Sequence, residues 1–304
     1  MLRRFLLLLA CRAALTGCRP TRIERRAALE REILAIVDSM RATVGVAAVL
    51  GPGDTLAIGP HIAFPMASVY KLHQALAVLE SLDRGALPLD MPIPVGPSDL
   101  RPDTWSPLRD ARPGGGYELP IAELLTYNIA WSDNNACDLL FRFLGGPETA
   151  NRHIERLGLG DTAIATDEQT MHADPTTQFL NRTSPIDAVR LLERFRRGEL
   201  SNARHTEFLL RTLLATVTGP NKLKGLLPPD VRIAHKTGNG FRDRQGIMAA
   251  DNDIGIVFLP DGRAYSIAVF VTESRECDSL DAAVIARISR CIYDYFEACP
   301  QSPR

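Results

Sequence analysis

Residues 64–72 read FPMASVYKL, and an apolar run continues from them to Leu79. The run is apolar on nearly all sides, which predicts a buried helix that starts just after Pro65. Ser68 and Lys71 are three residues apart, so the first helical turn would place both side chains on one face. A serine needs a base within reach to become a nucleophile, and a desolvated lysine can be that base. The stretch therefore predicts a nucleophilic serine at a helix start, with a helix cap beside a surface lysine as the alternative.

The number of lysines favours the first interpretation. The chain has 35 lysine plus arginine residues, of which only Lys71, Lys222, Lys224 and Lys236 are lysines. Lysine differs from arginine in being a compact ammonium whose pKa shifts readily on burial. Because the sequence uses arginine almost everywhere else, a lysine at position 71 indicates a role other than surface charge.

The rest of the chain predicts an α+β fold. Successive segments read as an amphipathic helix with Ile33, Leu34 and Val37 on its apolar side (23–40), a hairpin (44–58), a proline- and glycine-rich stretch without core elements (86–117), a helical block (119–214), paired strands (246–272) and a final helix (281–296). Strands and helices at both chain ends, with a helical block between them, predict an antiparallel sheet that carries terminal helices, as in an α/β sandwich, and a separate all-helical insert.

Residues 1–18 resemble an export signal. Arg3 and Arg4 precede a short apolar run, and Leu15-Thr16-Gly17-Cys18 is similar to the tetrad at which bacterial lipoproteins are cleaved and acylated. We therefore predict a periplasmic protein, with a lipid anchor on Cys18 as a further expectation. The mature chain has no apolar run near the ~18 residues of a membrane span. The net charge of −1 argues against a nucleic-acid partner.

Four cysteines remain after the predicted signal, namely Cys137, Cys277, Cys291 and Cys299. In an oxidising compartment some of these could pair, and the sequence leaves the connectivity open. Cys137 lies in an apolar helical stretch, which predicts a buried and unreactive thiol.

Two further motifs lie where this architecture would bring them near Ser68. Ser132-Asp133-Asn134 falls at a break between two helices of the insert, and Lys236-Thr237-Gly238 follows a candidate strand at residues 231–235. Alone, the first is a common turn or cap and the second a common strand end. Together, and downstream of Ser-x-x-Lys, they form the combination of motifs found in class A β-lactamases and penicillin-binding proteins.

Over residues 25–298 the chain resembles a class A serine β-lactamase. The context of the motifs agrees with this, in FPM at residues 64–66, DNNACD at residues 133–138 and His235 before Lys236. The resemblance implies two domains with the site between them. The helical domain would span residues 63–214, and the sheet domain would be built from residues 19–62 and 215–304.

A glutamate in the loop after the second motif separates a β-lactamase from a penicillin-binding relative. Glu168 fits this position, and His172 could help it hold a water where most class A enzymes have asparagine. The histidine, together with Asp138 in place of a usual asparagine, resembles an extended-spectrum branch, and these two side chains could pair. A solvated loop carboxylate is the alternative for Glu168.

The resemblance also implies roles for the motif residues. Ser68 would attack the lactam carbonyl, with the backbone N–H groups of Ser68 and Asn239 as the oxyanion hole. Either Lys71, or Glu168 through a water, would take the serine proton. Ser132 would pass a proton to the leaving nitrogen. The residues implied in substrate binding are Asn134, Lys236, Thr237, Gly238, Asn239, Trp105, His172 and Arg244.

Individual binding roles follow from the same resemblance. Asn134 would bind the substrate side-chain amide, while Lys236 and Thr237 would hold the substrate carboxylate with Arg244 as a helper. Trp105 would form an aromatic wall at the mouth of the cleft, or else pack on the domain as an ordinary loop residue.

Two other functions stay open from the sequence, a penicillin-sensitive D-alanyl-D-alanine peptidase and a non-hydrolysing penicillin-binding sensor. Glu168 argues against the peptidase, which lacks a dedicated deacylation base. No metal or cofactor is predicted, since the six histidines show no ligand spacing such as His-x-x-x-His. The expected partner is a small β-lactam, bound by a monomer. The extended-spectrum likeness predicts a preference for cephalosporins. Ala67 precedes the nucleophile and Gly240 lies beyond Lys-Thr-Gly, so the disulfide typical of one carbapenem-hydrolysing branch is absent.

Overall fold

The computed structural model describes residues 20–299. Its α-helices are α1 (Arg22–Asp38), α2 (Tyr70–Gly85), α3 (Pro107–Ala111), α4 (Ile121–Ala130), α5 (Asn134–Leu144), α6 (Pro147–Arg156), α7 (Glu168–Ala173), α8 (Pro185–Arg196), α9 (Ala203–Leu214) and α10 (Asp278–Glu297). Its strands are β1 (Thr43–Gly51), β2 (Asp54–Ile58), β3 (Phe64–Pro65), β4 (Pro92–Val95), β5 (Tyr117–Pro120), β6 (Arg182–Thr183), β7 (Arg232–Asn239), β8 (Asp251–Phe258) and β9 (Ala264–Thr272).

Five of these strands form one antiparallel sheet in the order β2-β1-β9-β8-β7. The pairing register places Lys236 opposite Ile254 and Gly238 opposite Asn252. β7 is thus an edge strand with one neighbour in the sheet. The Lys-Thr-Gly motif lies in its second half, at the edge where the sheet meets the nucleophile segment.

The sheet separates two hydrophobic cores, which confirms the predicted fold class. Along β1, Val46 and Ala48 belong to the core beneath α1 and α10, whereas Ala47 belongs to the core shared with the helical block. This alternation is the two-residue period of a strand covered on both faces. α2 lies in the second core and is buried from Tyr70 to Leu79.

Two predictions about the elements need correction. Leu34 does not lie on the buried side of α1 but is 38% exposed, and the buried stripe is Leu29, Ile33 and Ile36. The proline-rich stretch contributes to the core, because Ile93 and Val95 alternate inward along the short strand β4. The division into domains at residues 62 and 214 stays a prediction.

The start of α1 lies beside β2. Thr21 caps the helix through the N–H of Glu24, and Arg22 Nη2 forms an ion pair with Asp54 Oδ2 at 2.8 Å. Across residues 20–299, no helix is long and apolar enough to cross a membrane. The lipobox-like tetrad lies outside the described residues. The four cysteines within them form no disulfide with one another.

Candidate active site

Ser68 lies in a single 3-10 turn, Ala67–Val69, that leads directly into α2. Ala67 has a φ of 44°, in the left-handed region that non-glycine residues rarely adopt. The turn is held from the sheet by Asn252, whose Nδ2 donates to the carbonyl oxygens of Pro65 at 2.9 Å and Met66 at 3.1 Å. A strained backbone held in this way is typical of functional sites.

Lys71 joins the nucleophile segment to the second motif. Its side chain is fully buried, and Nζ donates to the carbonyl oxygen of Ser132 at 2.9 Å and to Asn134 Oδ1 at 2.5 Å. The same Nζ lies 3.1 Å from Glu168 Oε1. A helix start, a helix–helix break and the Glu168 segment therefore converge on one amine.

The second motif is positioned by the cap of α5. Asp133 accepts hydrogen bonds from the N–H groups of Ala136 at 2.8 Å and Leu108 at 2.7 Å. Burial raises the pKa of Asp133, while these hydrogen bonds oppose that shift. Ser132 has a φ of 58°, which turns the chain sharply before the cap. The cap thus fixes Ser132 and Asn134 on either side of Asp133.

The third motif faces the second one from β7. Lys236 Nζ donates to Ser132 Oγ at 2.9 Å, and the side chain is fully buried. Burial lowers the pKa of Lys236 well below its usual range, and the positive charge of Lys71 acts in the same direction. Thr237 Oγ1 lies 2.6 Å from Thr218 Oγ1.

Gly238 allows β7 to approach the nucleophile turn. A Cβ at this position would lie 2.4 Å from the carbonyl oxygen of Met66 and 3.1 Å from the backbone N of Ser68. Since both neighbours are backbone atoms, a side chain here would force the strand and the turn apart.

Glu168 is the first residue of α7, which Asp167 caps through the N–H of Thr170. Its Oε1 accepts a hydrogen bond from the Tyr70 hydroxyl at 2.9 Å, and its backbone N–H donates to Asp138 Oδ1 at 2.9 Å. Burial raises the pKa of Asp138 to about 7, and the negative charge of Glu168 adds to this shift. Glu168 is therefore held at both its backbone and its carboxylate.

The expected pair of Asp138 with His172 is wrong. His172 Nε2 lies 2.8 Å from Asp103 Oδ2, across the mouth of the cleft. Asp138 is turned inward to the N–H of Glu168, with Arg101 Nη1 at 3.7 Å. The side chain of Asp138 is 21% exposed and that of Asp103 is 54% exposed. The less exposed carboxylate has the greater need of a hydrogen-bond donor, which the N–H of Glu168 supplies.

These elements surround a cleft of about 430 Å³. The predicted site residues that line it are Ser68, Trp105, Ser132, Asn134, Glu168, His172, Thr237 and Asn239. Lys71 and Lys236 do not line the cleft but are fully buried, and they contact the lining residues Asn134 and Ser132. Trp105 is 60% exposed, and its Nε1 donates to the carbonyl oxygen of Trp131 at 2.9 Å. Arg244 is not brought to this cleft, since it is exposed and lines a neighbouring groove.

Some contacts in the site were not predicted from the sequence. Lys222 is 3% exposed, forms an ion pair with Asp251, and donates to Asn239 Oδ1 at 2.9 Å. Its presence among only four lysines was the signal that could have found it. Tyr70 and Asp103 gave no such signal, because their importance lies in contacts with distant segments.

The sequence profile of the β-lactamase enzyme family matches residues 28–296. A β-lactamase of Bacteroides uniformis is 41% identical over 274 residues, which cover 90% of this chain and 93% of that protein. The extended-spectrum β-lactamase PER-1 of Pseudomonas aeruginosa is 40% identical over 270 residues, 88% of this chain and 87% of that protein. The crystal structure of the TLA-1 extended-spectrum β-lactamase superposes with a TM-score of 0.86 at 40% identity, covering 88% of this chain and 98% of that one.

Proposed function

The chain belongs to the β-lactamase enzyme family, and we propose which role each residue of its site has in the reaction of a class A serine β-lactamase. It is an enzyme of the extended-spectrum type that hydrolyses penicillins and cephalosporins. The geometry supports a two-step reaction in which an acyl-enzyme forms on Ser68 and a water then releases it.

In the first step Ser68 Oγ attacks the lactam carbonyl carbon, and the C–N bond of the ring breaks. Either Lys71 or a water on Glu168 takes the serine proton, and the 3.1 Å contact between their side chains allows a proton to pass between them. Ser132 Oγ gives a proton to the leaving nitrogen. Lys236, at 2.9 Å from that oxygen, holds the hydroxyl in place, and the proton taken from Ser68 replaces the one that Ser132 gave up, so that the base is free again before the second step.

The negative charge that develops on the carbonyl oxygen would be stabilised by the N–H groups of Ser68 and Asn239. The close approach at Gly238 supports this assignment, since it brings the end of β7 against the nucleophile turn. Donors fixed by the backbone need no reorganisation during the reaction, which makes this contribution large in acyl transfer. Thr237 and Lys236 would bind the substrate carboxylate, and Asn134 the side-chain amide.

Glu168 carries the proposal. Its carboxylate lines the same cleft as Ser68 and is fixed by Tyr70 and Lys71. In the second step Glu168 takes a proton from a water that attacks the ester. This general base catalysis is worth typically ~10²–10⁴-fold in rate. A peptidase or a sensor that keeps its ligand has no need of such a base.

Replacement of Glu168 by glutamine tests this role. Glutamine keeps the shape of the side chain but cannot take the proton, so the Glu168→Gln variant should be acylated and release product at least ~100-fold more slowly than the parent. Mass spectrometry minutes after mixing with a penicillin should show the protein plus one intact ligand. Ser68→Ala is the matched control, since it should show neither the adduct nor turnover.

The opposite result is equally clear. Turnover of Glu168→Gln at the parent rate without an adduct would remove Glu168 from the mechanism.

We propose a preference for cephalosporins, supported by the likeness to extended-spectrum relatives, and kcat/KM for a penicillin and an oxyimino-cephalosporin in the same assay measures it. Good hydrolysis of the penicillin alone would contradict that preference.

We also propose that the enzyme is exported and anchored. The support is the charged and apolar start of the chain and the tetrad Leu15-Thr16-Gly17-Cys18. Cleavage before Cys18 and acylation of its thiol would leave the catalytic part in the periplasm.

A further inference from the structure

Tyr70 directly follows the nucleophile turn, and its side chain is fully buried. Its hydroxyl donates to Glu168 Oε1 at 2.9 Å, and Lys71 Nζ lies 3.1 Å from the same oxygen. We propose that Tyr70 is a positioning residue for deacylation: with Lys71 it occupies Oε1, so that Oε2 takes the proton of the attacking water. This inference rests on the role of Glu168 as the base.

The phenol has only one proton, and its neighbours decide where that proton points. The hydroxyl oxygen lies 3.3 Å from Cys137 Sγ, and that thiol donates to Gln74 Oε1 at 3.4 Å. An ionised carboxylate only accepts hydrogen bonds and is a far stronger acceptor than a thiol sulfur. Burial also raises the pKa of Tyr70 well above its usual value, so the phenol remains a donor.

The tyrosine ring itself has little freedom. It stacks on Phe141 with ring centroids 5.9 Å apart and planes within 10°. The backbone of Glu168 is fixed separately by Asp138 Oδ1 at 2.9 Å. The last torsion of a glutamate is soft, so the direction of its carboxylate must be set by contacts. The hydrogen bond from Tyr70 and the ion pair with Lys71, both on Oε1, set that direction.

Oε2 is left as the reactive oxygen. Within residues 20–299 it accepts no hydrogen bond, and Glu168 lines the cleft that Ser68 also lines. In deacylation the water oxygen bonds to the ester carbon while its proton passes to Oε2. The C–Oγ bond then breaks, Ser68 Oγ takes up a proton, and Glu168 is ionised again. Oε1 keeps its contacts with Tyr70 and Lys71 throughout.

The test is Tyr70→Phe, which keeps the ring and removes the donor. A hydrogen bond to a charged group contributes enough that its loss should slow deacylation roughly 10-fold. The acid limb of the deacylation profile should move to higher pH, because the ionised carboxylate loses a donor. The other charged or titratable groups that face Glu168 are the same in parent and variant, namely Lys71, Cys137, Asp138, Asp167, His172 and Lys236.

Tyr265→Phe is the matched control. Tyr265 is 1% exposed, and its hydroxyl has no hydrogen-bond partner within the described chain. This change also removes a buried hydroxyl, but in the core beneath α10, and should leave both the deacylation rate and its pH profile at the parent values. Thermal melting of both variants separates a loss of stability from a loss of rate.

The outcomes distinguish this inference from the function on which it rests. Deacylation of Tyr70→Phe at the parent rate, or slower deacylation with an unmoved acid limb, would overturn the positioning role. If Glu168→Gln still accumulates the acyl-enzyme in the same experiment, the function stands and only the inference about Tyr70 fails. If Glu168→Gln turns over normally, both fail together.

Discussion

At the scale of single residues, the site depends on side chains that serve several partners at once. Lys71 contacts the second motif through both a carbonyl and an amide oxygen, and it contacts Glu168 through its carboxylate. A residue that contacts three acceptor oxygens, all buried or partly buried, cannot be replaced without leaving some of them unpaired, which costs more than the bond itself contributed. This explains why a compact, three-donor ammonium suits position 71.

His73, two residues further along α2, should make the stability depend on pH. Burial lowers its pKa from 6.5 to about 4. Below pH 6.5 the unfolded chain binds a proton that the folded protein refuses until about pH 4, so the free energy of unfolding should fall through this window by up to ~3 kcal/mol. Urea unfolding at pH 7 and pH 4 measures it.

His73→Leu provides the comparison for this prediction. Leucine has no titrating group, so the variant should lose less stability than the parent between the two pH values. Asp138 titrates in the opposite sense, since a raised carboxyl pKa favours the folded state as the pH falls, but it is common to both proteins. Equal losses in parent and variant would contradict the assignment to His73.

The motif residues could be proposed from the sequence because their chemistry is tied to short spacings, and their roles stay predictions. Ser68 and Lys71 are three apart on one helix, and each further motif is three consecutive residues. The pair His172–Asp103 and the bond from Tyr70 to Glu168 join distant segments, and no spacing rule reports such contacts. The pairing of Asp138 with His172 was wrong for the same reason. Both residues are unusual at their positions, but the sequence does not give the distance between their side chains.

At the scale of elements, the site depends on the close approach of β7 to the nucleophile turn, which only a glycine at position 238 allows. The nucleophile turn and strand β7 come from distant parts of the chain, and they meet at Gly238. Apolar periodicity and a strand run are local signals, and they predicted that α2 and β7 exist but not where they begin and end. α2 starts at Tyr70 rather than just after Pro65, and β7 continues through the Lys-Thr-Gly motif to Asn239 instead of ending before it. The exposed Leu34 shows the limit of such signals, because a helix wheel alone does not show which side the sheet will cover.

Gly238→Ala should separate these two elements. The new Cβ would meet the carbonyl oxygen of Met66 at 2.4 Å, so strand or turn must move by several tenths of an ångström or more. We expect a loss of about 1–3 kcal/mol in the free energy of unfolding and a fall in kcat/KM of roughly 100-fold. Urea unfolding and steady-state hydrolysis measure the two effects.

Gly160→Ala is the control for this change. A Cβ at Gly160 would have nothing within 4 Å, so the variant should match the parent in stability and activity. A Gly238→Ala enzyme with parental kcat/KM would show that the close approach of β7 does not matter for the reaction.

At the scale of the whole molecule, a single sheet connects the two cores. Ser266 Oγ on β9 donates to Glu193 Oε1 on α8 at 2.8 Å, and Asn252 on β8 holds the nucleophile turn. Both links run from the sheet to the helical part, and only one of them reaches the site. The composition and strand pattern predicted the sheet and the insert, but not these links between them.

The proposed anchor predicts a defined mature protein. Protein from the membrane fraction should begin at Cys18 and carry the mass of attached lipid, and intact-mass measurement checks this. Cys18→Ala should lose the lipid and leave the membrane fraction. An unmodified N-terminus at another residue of the membrane-fraction protein would rule out the anchor while leaving export standing.

The ion pair of Arg22 with Asp54 has a consequence for a tethered enzyme. It holds the start of α1 at the β2 edge, and the order β2-β1-β9-β8-β7 puts the cleft four strand spacings away, about 19 Å at ~4.8 Å each. Four residues of extended chain from Cys18 to Arg22 reach at most ~14 Å. If Cys18 carries the proposed anchor, the β2 edge would therefore stay near the bilayer surface and the mouth of the cleft would lie at the opposite edge of the sheet, where an antibiotic in the periplasm could reach it without first crossing lipid.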